Sequence, residues 1–135
     1  MLQEVTKRLP AKKMADFNFT LRCSVTSAIK MFGTKWKPCI ICYLINGALR
    51  YNDLFRIIPN ISRKMLSEQL KELETDGIIK RIQYDRKLQR VDYELTQKGM
   101  SLLPVLRTIE TWGLHNVKNV LSIEEMIDST LTAYS

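Results

Sequence analysis

The stretch ISRKMLSEQLKELETDGIIKR, residues 61–81, decides the fold, because it predicts a helix that ends in a sharp turn and leads into a strand. Ser62 is a residue type that caps helix N-termini well. Ile61 before it and Leu66 after it occupy the N′ and N4 positions of a hydrophobic staple. Gly77 suits the C′ position, where a left-handed backbone ends a helix. We therefore predict a helix that starts after Ser62 and stops just before Gly77.

This predicted helix has two faces of different chemistry. An apolar stripe with helical spacing is formed by Leu66, Leu70 and Leu73. At 100° per residue, a second arc collects three cations and a hydroxyl: Arg63, Lys64, Ser67 and Lys71. Charged helix faces are often only solvated, but a helix N-terminus also attracts phosphate. We interpret the second arc as a surface for DNA contact.

The charge balance favours a polyanionic partner. The chain has 135 residues, with 21 Lys and Arg against 14 Asp and Glu, which gives a net charge of +7. Residues 24–96 carry 13 basic and 8 acidic side chains, whereas residues 97–135 carry 3 and 4. Such a charge points to nucleic acid or to an anionic membrane surface. The C-terminal part is therefore a poor candidate for contact with an anion.

The sequence indicates a cytoplasmic protein with no membrane partner. No apolar run reaches the roughly 20 residues of a membrane span. Residues 1–22 form a basic arm without the apolar core of a secretory signal. The three cysteines lack the spacing of a disulfide framework, which indicates free thiols in a reducing compartment.

The remaining elements surround the helix in a recognisable order. Further helices are predicted over 25–32, 35–45, within 49–59 after a short extended piece, over 97–113 and over 122–135. Strands are predicted within 78–84 and over 91–96, with a hairpin tip at 85–90. Pro104 predicts an early start or a kink in its helix. A helix pair followed by a hairpin is the plan of a winged helix-turn-helix, whose second helix enters the major groove.

The second strand has an alternating pattern. Val91, Tyr93 and Leu95 alternate with Asp92 and Glu94, which predicts that the two sets face opposite sides of the sheet.

Residue type suggests a role for each side chain of the DNA-contact surface. Arg63 is suited to a guanine edge in the major groove, and Ser67 to a base edge or a phosphate. Lys64 and Lys71 are suited to phosphates. Ser62, at the helix start, completes this candidate set.

Weaker candidates flank the helix. On the hairpin, contacts to a minor groove or to the backbone are predicted for Arg86, Lys87 and Arg90, and the alternative is that these charges only keep the hairpin soluble. Ahead of the helix pair, phosphate contacts are predicted for Lys35 and Lys37.

These segments resemble the HxlR-type family of bacterial transcription regulators, which are relatives of the MarR type. The resemblance runs from about Cys23 to Gly113 and is carried by GTKWK (33–37), LRYNDLFRIIPNISRKMLSEQLKELETDGIIKR (49–81), RVDYELTQKG (90–99), LLPVL (102–106) and WG (112–113). It implies a homodimer that binds an inverted repeat in double-stranded DNA. The chain departs from the family pattern at Ser24, where proline is frequent, and at the hairpin tip 85–89, which lacks the usual prolines.

The resemblance also implies a cysteine just before the first matched helix, and Cys23 takes that place. Arg22 beside it and the helix N-terminus both favour a thiolate. Two interpretations stay open: Cys23 senses oxidants or electrophiles, or it is a structural cysteine beneath the dimer contact.

Apolar stripes indicate where two subunits meet. The helical segment 102–112 carries such a stripe, and the helix that begins near Val25 is similarly amphipathic. We predict that these N- and C-terminal helices form a two-fold interface.

Other chemistry finds little support in the sequence. Cys39 and Cys42 form a CxxC motif, but they lie in an apolar helix, where cysteine packs as a small hydrophobe. No further cysteine pair or histidine cluster completes a zinc site. His115 is the single histidine and has no evident partner for a catalytic triad. We expect no metal, no cofactor and no enzymatic activity.

The sequence thus predicts a mainly α protein with a small β hairpin, a winged helix-turn-helix. Its parts are a basic arm (1–22), the winged domain (23–113) and a C-terminal helical extension that takes part in dimerisation (114–135). The predicted function is that of a sequence-specific, homodimeric DNA-binding transcriptional regulator under thiol control through Cys23, with any small-molecule effector unknown. Two alternatives remain: a winged-helix module for protein–protein or RNA contact without operator specificity, and a thiol oxidoreductase that uses Cys39 and Cys42.

Overall fold

The computed structural model describes residues 23–84, 87 and 89–134, with side chains as far as Thr130. The basic arm predicted for residues 1–22 and the candidate Arg86 lie outside the described residues. The chain divides after Gly33 into two compact units.

The first unit contributes helix α1, Ser24–Phe32. Cys23 is its N-cap residue, and the Cys23 sulfur accepts a hydrogen bond from the backbone N–H of Thr26 at 3.5 Å. At the other end, the N–H of Gly33 bonds to the carbonyl of Ile29. The helix predicted over 25–32 is therefore confirmed, and it begins one residue earlier, at Ser24.

The second unit is a helical domain with a small sheet. Its elements are α2 (Lys37–Tyr43), β1 (Leu49–Arg50), α3 (Tyr51–Ile57), α4 (Arg63–Thr75), β2 (Ile79–Gln83), β3 (Val91–Leu95), α5 (Gln97–Ser101), α6 (Leu103–Asn116) and α7 (Ile123–Tyr134). The strands form an antiparallel sheet in the order β1-β3-β2. Leu49 faces Tyr93 across one strand pair, and Ile79 faces Leu95 across the other. The winged helix-turn-helix plan is therefore confirmed. Among the helices of the described part of the chain, none is long and apolar enough to cross a bilayer.

Helix α4 begins and ends as its sequence predicts. Ser62 Oγ accepts a hydrogen bond from the N–H of Met65 at 3.0 Å, and both residues of the staple, Ile61 and Leu66, are buried. The backbone after the helix turns at Gly77 with φ +74°, a left-handed conformation that glycine adopts without steric cost. These local signals fix both the position of the helix and its exit into β2.

The core lies between α2, α3, α4 and the sheet. Its largest fully buried side chains are Ile40, Ile41, Leu44, Leu54, Ile58, Leu66, Leu70, Leu73, Ile78 and Ile79. Burial of each such side chain stabilises the fold by roughly 1.5–3 kcal/mol. The apolar stripe of α4 is part of this core, so the opposite side of α4 is directed to solvent.

Helix α7 packs against α2 and α3. Ile123 and Ile127 are buried, and the hydroxyl oxygens of Tyr43 and Thr130 are 2.8 Å apart. A capping box opens this helix, since Ser122 and Glu125 exchange hydrogen bonds of 3.1 and 3.3 Å. One apolar side of the C-terminal extension is thus used inside the subunit.

The helical segment over 97–113 is interrupted at Leu102, as Pro104 predicts, and gives α5 and α6. Pro104 lies in the first turn of α6, where its missing N–H costs no hydrogen bond. In α5, a Cβ on Gly99 would stand 2.1 Å from the carbonyl oxygen of Ile78, so only glycine allows this close contact with the sheet. Helix α6 continues to Asn116, three residues past the predicted end.

Strand β3 forms as its alternating pattern predicts, but burial does not follow the alternation at Asp92. The side chain of Asp92 has only 3% of its surface exposed, so it is buried as Tyr93 and Leu95 are. Both carboxylate oxygens of Asp92 accept hydrogen bonds of 3.1 Å from the guanidinium of Arg90. A buried carboxylate is tolerated when it is paired in this way, which explains why the polar residue departs from the pattern.

Candidate nucleic-acid interface

The exposed side of α4 brings four of the predicted residues onto one surface. We call this surface the basic face, and its members, all exposed, are Arg63, Lys64, Ser67 and Lys71. Ser62, just before them, is also exposed, and its hydroxyl caps the helix. Because the basic face starts in the first helical turn, the free N–H groups of the helix end add to its attraction for phosphate.

Helix α3 supports the basic face through Tyr51. The Tyr51 hydroxyl donates to the carbonyl of Arg63 at 3.2 Å, and its oxygen lies 3.0 Å from Ser67 Oγ. These contacts join the start of α3 to the first and second turns of α4. The position of the basic face is thus fixed by a side chain from the preceding helix.

Arg63 also lies on aromatic rings of α3. Its guanidinium carbon is 4.2 Å from the ring centroid of Phe55 and 5.9 Å from that of Tyr51. Both distances are within the range of cation–π attraction. Sequence reasoning missed Phe55, although its spacing of four residues from Tyr51 places both rings on one side of α3.

Two grooves continue the surface from α4 onto the sheet. The first has a volume of about 240 Å³ and is lined by Ser67, Leu70, Lys71, Glu74, Arg81 and Tyr93. The second, of about 380 Å³, is lined by Arg50, Tyr51, Asn52, Arg81, Gln89, Arg90, Val91 and Tyr93. Arg81 lines both grooves, although no sequence pattern distinguishes it from its neighbour Lys80. The pKa of the Tyr93 phenol is raised by burial, an effect that the nearby Arg81 guanidinium partly offsets.

On the hairpin, the predicted cations differ in their surroundings. Lys87 is exposed, whereas residues 85, 86 and 88 around it are outside the described part. Arg90 donates from Nε and Nη2 to Asp92, and its guanidinium carbon is 5.1 Å from the ring centroid of Tyr84. The hydrogen bonds to Asp92 raise the pKa of Arg90. Two donors of Arg90 are therefore already paired with a buried carboxylate.

The two lysines before α2 are placed very differently. Lys35 is exposed, and its Nζ lies 4.7 Å from the ring centroid of Trp36. Lys37 has only 4% of its surface exposed, and its Nζ is 2.9 Å from a carboxylate oxygen of Glu72. This placement argues against the phosphate contact predicted for Lys37, because a phosphate would first have to displace Glu72. We therefore leave Lys37 out of the interface.

A second exposed surface, on α6, is apolar. We call it the apolar face, and it consists of Val105, Ile109 and Trp112, which are 43%, 51% and 65% exposed. Their spacing of four and three residues places them along one side of the helix. A row of exposed apolar side chains makes this side of α6 a candidate interaction surface.

The three cysteines lie in two kinds of environment. Burial raises the pKa of the Cys39 and Cys42 thiols to about 11. The pKa of Cys23 is instead lowered, because the residue caps α1 and bonds to Thr26. Within the described residues, no group of three or more His, Cys, Asp or Glu side chains is arranged to hold a metal ion.

Comparison with known proteins finds similar sequences among helix-turn-helix transcriptional regulators. The family model of the HxlR-like helix-turn-helix matches residues 31–120. The HTH-type transcriptional regulator YtcD of Bacillus subtilis (strain 168) is 42% identical over 97 residues, which cover 72% of this chain and 77% of YtcD.

Two solved structures of similar proteins concern redox states. The redox regulator HypR in its oxidised form is 38% identical, with a TM-score of 0.66, over 73% of this chain and 100% of that structure. The reduced form of the transcriptional regulator YodB from B. subtilis is 34% identical, with a TM-score of 0.64, over 73% of this chain and 98% of that structure.

Proposed function

The chain belongs to the HxlR-like helix-turn-helix family of transcriptional regulators, and from this premise we propose that it binds an inverted-repeat operator as a homodimer. The observation that carries the proposal is the basic face of α4, which is exposed opposite a fully buried apolar stripe. In a winged helix-turn-helix, the second helix of the pair lies in the major groove. Here that helix is α4.

Within the basic face, each side chain takes the role that its donors allow. Arg63 has a planar guanidinium that matches the O6 and N7 acceptors of guanine, so we assign it to base reading. Ser67 is assigned to a base edge or a phosphate. Lys64 and Lys71 are assigned to phosphates, which supply affinity but little sequence information.

We extend the interface over the grooves beside α4. Arg81 and Arg50 line these grooves, so a DNA backbone that leaves the basic face would meet cations on the sheet. Lys87 and Lys35 are exposed and remain assigned to backbone contacts at the edges, as does Arg86 of the hairpin tip. Arg90 has a smaller role, because Asp92 already occupies two of its donors.

Dimerisation is proposed through the apolar face of α6. These three side chains are exposed in a single subunit, and burial against a second copy would remove them from water. In α1, Val25 and Ile29 are also exposed, and we propose that this helix likewise contacts the second copy. A two-fold axis would then present two copies of α4 to half-sites about 34–36 Å apart.

The test is selection of duplexes by the full-length chain from a random-sequence pool. The proposal predicts enrichment of an inverted repeat whose half-sites are separated by about one helical turn. A variant with Arg63, Lys64 and Lys71 all changed to Ala should enrich no sequence. Retention of RNA or of mixed DNA without an enriched motif would instead support an interaction module without operator specificity.

We further propose that the thiol of Cys23 controls DNA binding inside the cytoplasm. Two observations support it: Cys23 caps α1 with a lowered pKa, and one structural neighbour is named a redox regulator. Either a disulfide between two subunits or an adduct with an electrophile would change the packing of α1. Packed interfaces switch between discrete arrangements, so a local change of this kind is able to alter DNA affinity.

Affinity for the selected duplex, measured before and after diamide, tests the role of Cys23. Wild type and a Cys39→Ser control should both change, whereas Cys23→Ser should not. If Cys23→Ser responds like wild type, the reactive thiol is Cys39 or Cys42. If wild type does not respond, Cys23 has only a structural role.

A further inference from the structure

Arg63 rests on two half-buried aromatic side chains of α3. We call Phe55 and Tyr51 the aromatic shelf. The guanidinium carbon of Arg63 lies 4.2 Å from the Phe55 ring centroid, which is close enough for the cation to sit against the ring. Tyr51 contributes the more distant second ring, at 5.9 Å.

The aromatic shelf leaves the hydrogen-bond donors of Arg63 available. A guanidinium carries five N–H donors in its own plane, and an aromatic ring takes up none of them as a carboxylate does. Among the residues that the structure describes, the Arg63 guanidinium has no hydrogen-bond or ion-pair partner. Arg90, in contrast, gives two donors to Asp92.

The aromatic shelf is itself held against α4. The Tyr51 hydroxyl bonds to the carbonyl of Arg63 and lies within hydrogen-bond distance of Ser67 Oγ. Phe55 is half-buried four residues further along α3. The backbone at the start of α4 and the side chain of Arg63 are therefore both fixed by the same two residues.

From this arrangement we propose that Phe55 and Tyr51 are positioning residues for sequence reading, because they hold the Arg63 guanidinium with its donors free for a guanine edge. This role rests on the proposed function, since it requires that Arg63 meets a base. An arginine that is already ordered loses less side-chain freedom when it binds. The resulting gain in affinity applies only to duplexes in which Arg63 makes its base contact.

A first measurement tests the aromatic shelf without DNA. Protons of a guanidinium that lies over an aromatic ring are shifted upfield by the ring current, so the Arg63 side-chain NMR signals should be upfield in the free protein. They should move to ordinary positions in Phe55→Leu and remain upfield in Phe55→Tyr. Unshifted Arg63 signals in wild type would overturn the proposal, whatever the protein binds.

A second measurement links the aromatic shelf to recognition. Phe55→Leu should weaken binding to the selected duplex roughly three- to tenfold, and Phe55→Tyr should bind like wild type. In an Arg63→Ala background, Phe55→Leu should have no further effect. Phe55→Met, which keeps apolar volume without a ring, replaces Phe55→Leu if thermal unfolding shows that the leucine variant is poorly folded.

The outcomes separate this inference from the proposed function. Equal losses from Phe55→Leu in the wild-type and Arg63→Ala backgrounds would overturn the positioning role while leaving DNA recognition intact. The positioning role would also be overturned if Phe55→Leu weakened binding to mixed-sequence duplex by the same factor as binding to the selected duplex. If wild type enriches no sequence, the proposed function fails and the positioning role fails with it, even where the NMR shift is present.

Discussion

Helices α4 and α6 are similar in length, at 13 and 14 residues, but their outward surfaces differ in chemistry. On α4, the basic face presents cations and a hydroxyl, and on α6, the apolar face presents Val105, Ile109 and Trp112. Both helices direct other apolar residues inward, Leu66 and Leu106 among them. The inward sides belong to the core, whereas the outward sides are those for which we propose different partners.

The difference shows how two exposed surfaces of one small chain are suited to unlike partners. Cations attract a polyanion through a force that salt screens. Apolar side chains gain stability only when another surface covers them, and this gain is largely independent of moderate salt. We therefore expect changes on α4 to alter sequence preference and salt dependence, and changes on α6 to alter assembly first.

The largest effect should come from the apolar face. Trp112→Glu places a charge in the proposed dimer contact, so the chain should sediment as a monomer at micromolar concentration. Affinity for the selected duplex should fall by about 10²-fold or more, because the two half-sites are no longer bound as a linked pair. Sedimentation equilibrium and a binding titration measure the two effects.

Asn46→Glu is a matched control, because it adds the same charge at an exposed position after α2, outside the basic face, the apolar face and the C-terminal extension. It should remain dimeric and bind the duplex normally. If the Trp112→Glu chain stays dimeric, the apolar face is not the dimer contact.

The next effect in size concerns base reading on the basic face. Arg63→Ala should cost about 1–3 kcal/mol on the selected duplex and relax the preference at one base pair. Binding of Arg63→Ala to mixed-sequence duplex should weaken much less. Titrations against single-base variants of the duplex measure this, and a uniform loss across all of them would remove Arg63 from base reading.

A phosphate contact on the same face should have a smaller, sequence-blind effect. Lys64→Ala should weaken binding to all duplexes by a similar factor and lower the salt slope by about one unit. The measurement is affinity over a range of salt concentrations. Lys118→Ala, at an exposed position just after α6, is the control and should leave the slope unchanged.

The smallest effect is expected for Arg90, which is paired with Asp92. The double variant Arg90→Gln with Asp92→Asn removes one positive and one negative charge together, and it avoids leaving Asp92 buried without a partner. Its salt slope should change by less than about half a unit. A change as large as that of Lys64→Ala would show that Arg90 contacts phosphate despite Asp92.

Local signals made most of the fold predictable. The cap at Ser62, the left-handed turn at Gly77 and the break before Pro104 each depend on a few neighbouring residues, and the structure has all three. The apolar stripes of α4 and α6 follow from helical periodicity alone. The basic face was predictable for the same reason, because it lies opposite a stripe within a single helix.

Features that depend on distant parts of the chain escaped prediction. Lys37 is buried through a pair with Glu72, 35 residues away, and no local pattern connects them. The position of the Phe55 ring against the Arg63 guanidinium and the position of Arg81 beside α4 also arise from contacts between elements. At Asp92, the partner Arg90 is close in sequence, but a two-residue alternation takes no account of charge pairing.

Homodimeric recognition of an inverted repeat is tested by the mass of the complex formed with the selected duplex, measured by sedimentation in an excess of mixed-sequence duplex. We expect two chains on one duplex, retained against the competitor. A duplex with one half-site scrambled should be released. A single chain on each duplex, or release of the intact repeat in proportion to the competitor, would contradict homodimeric recognition.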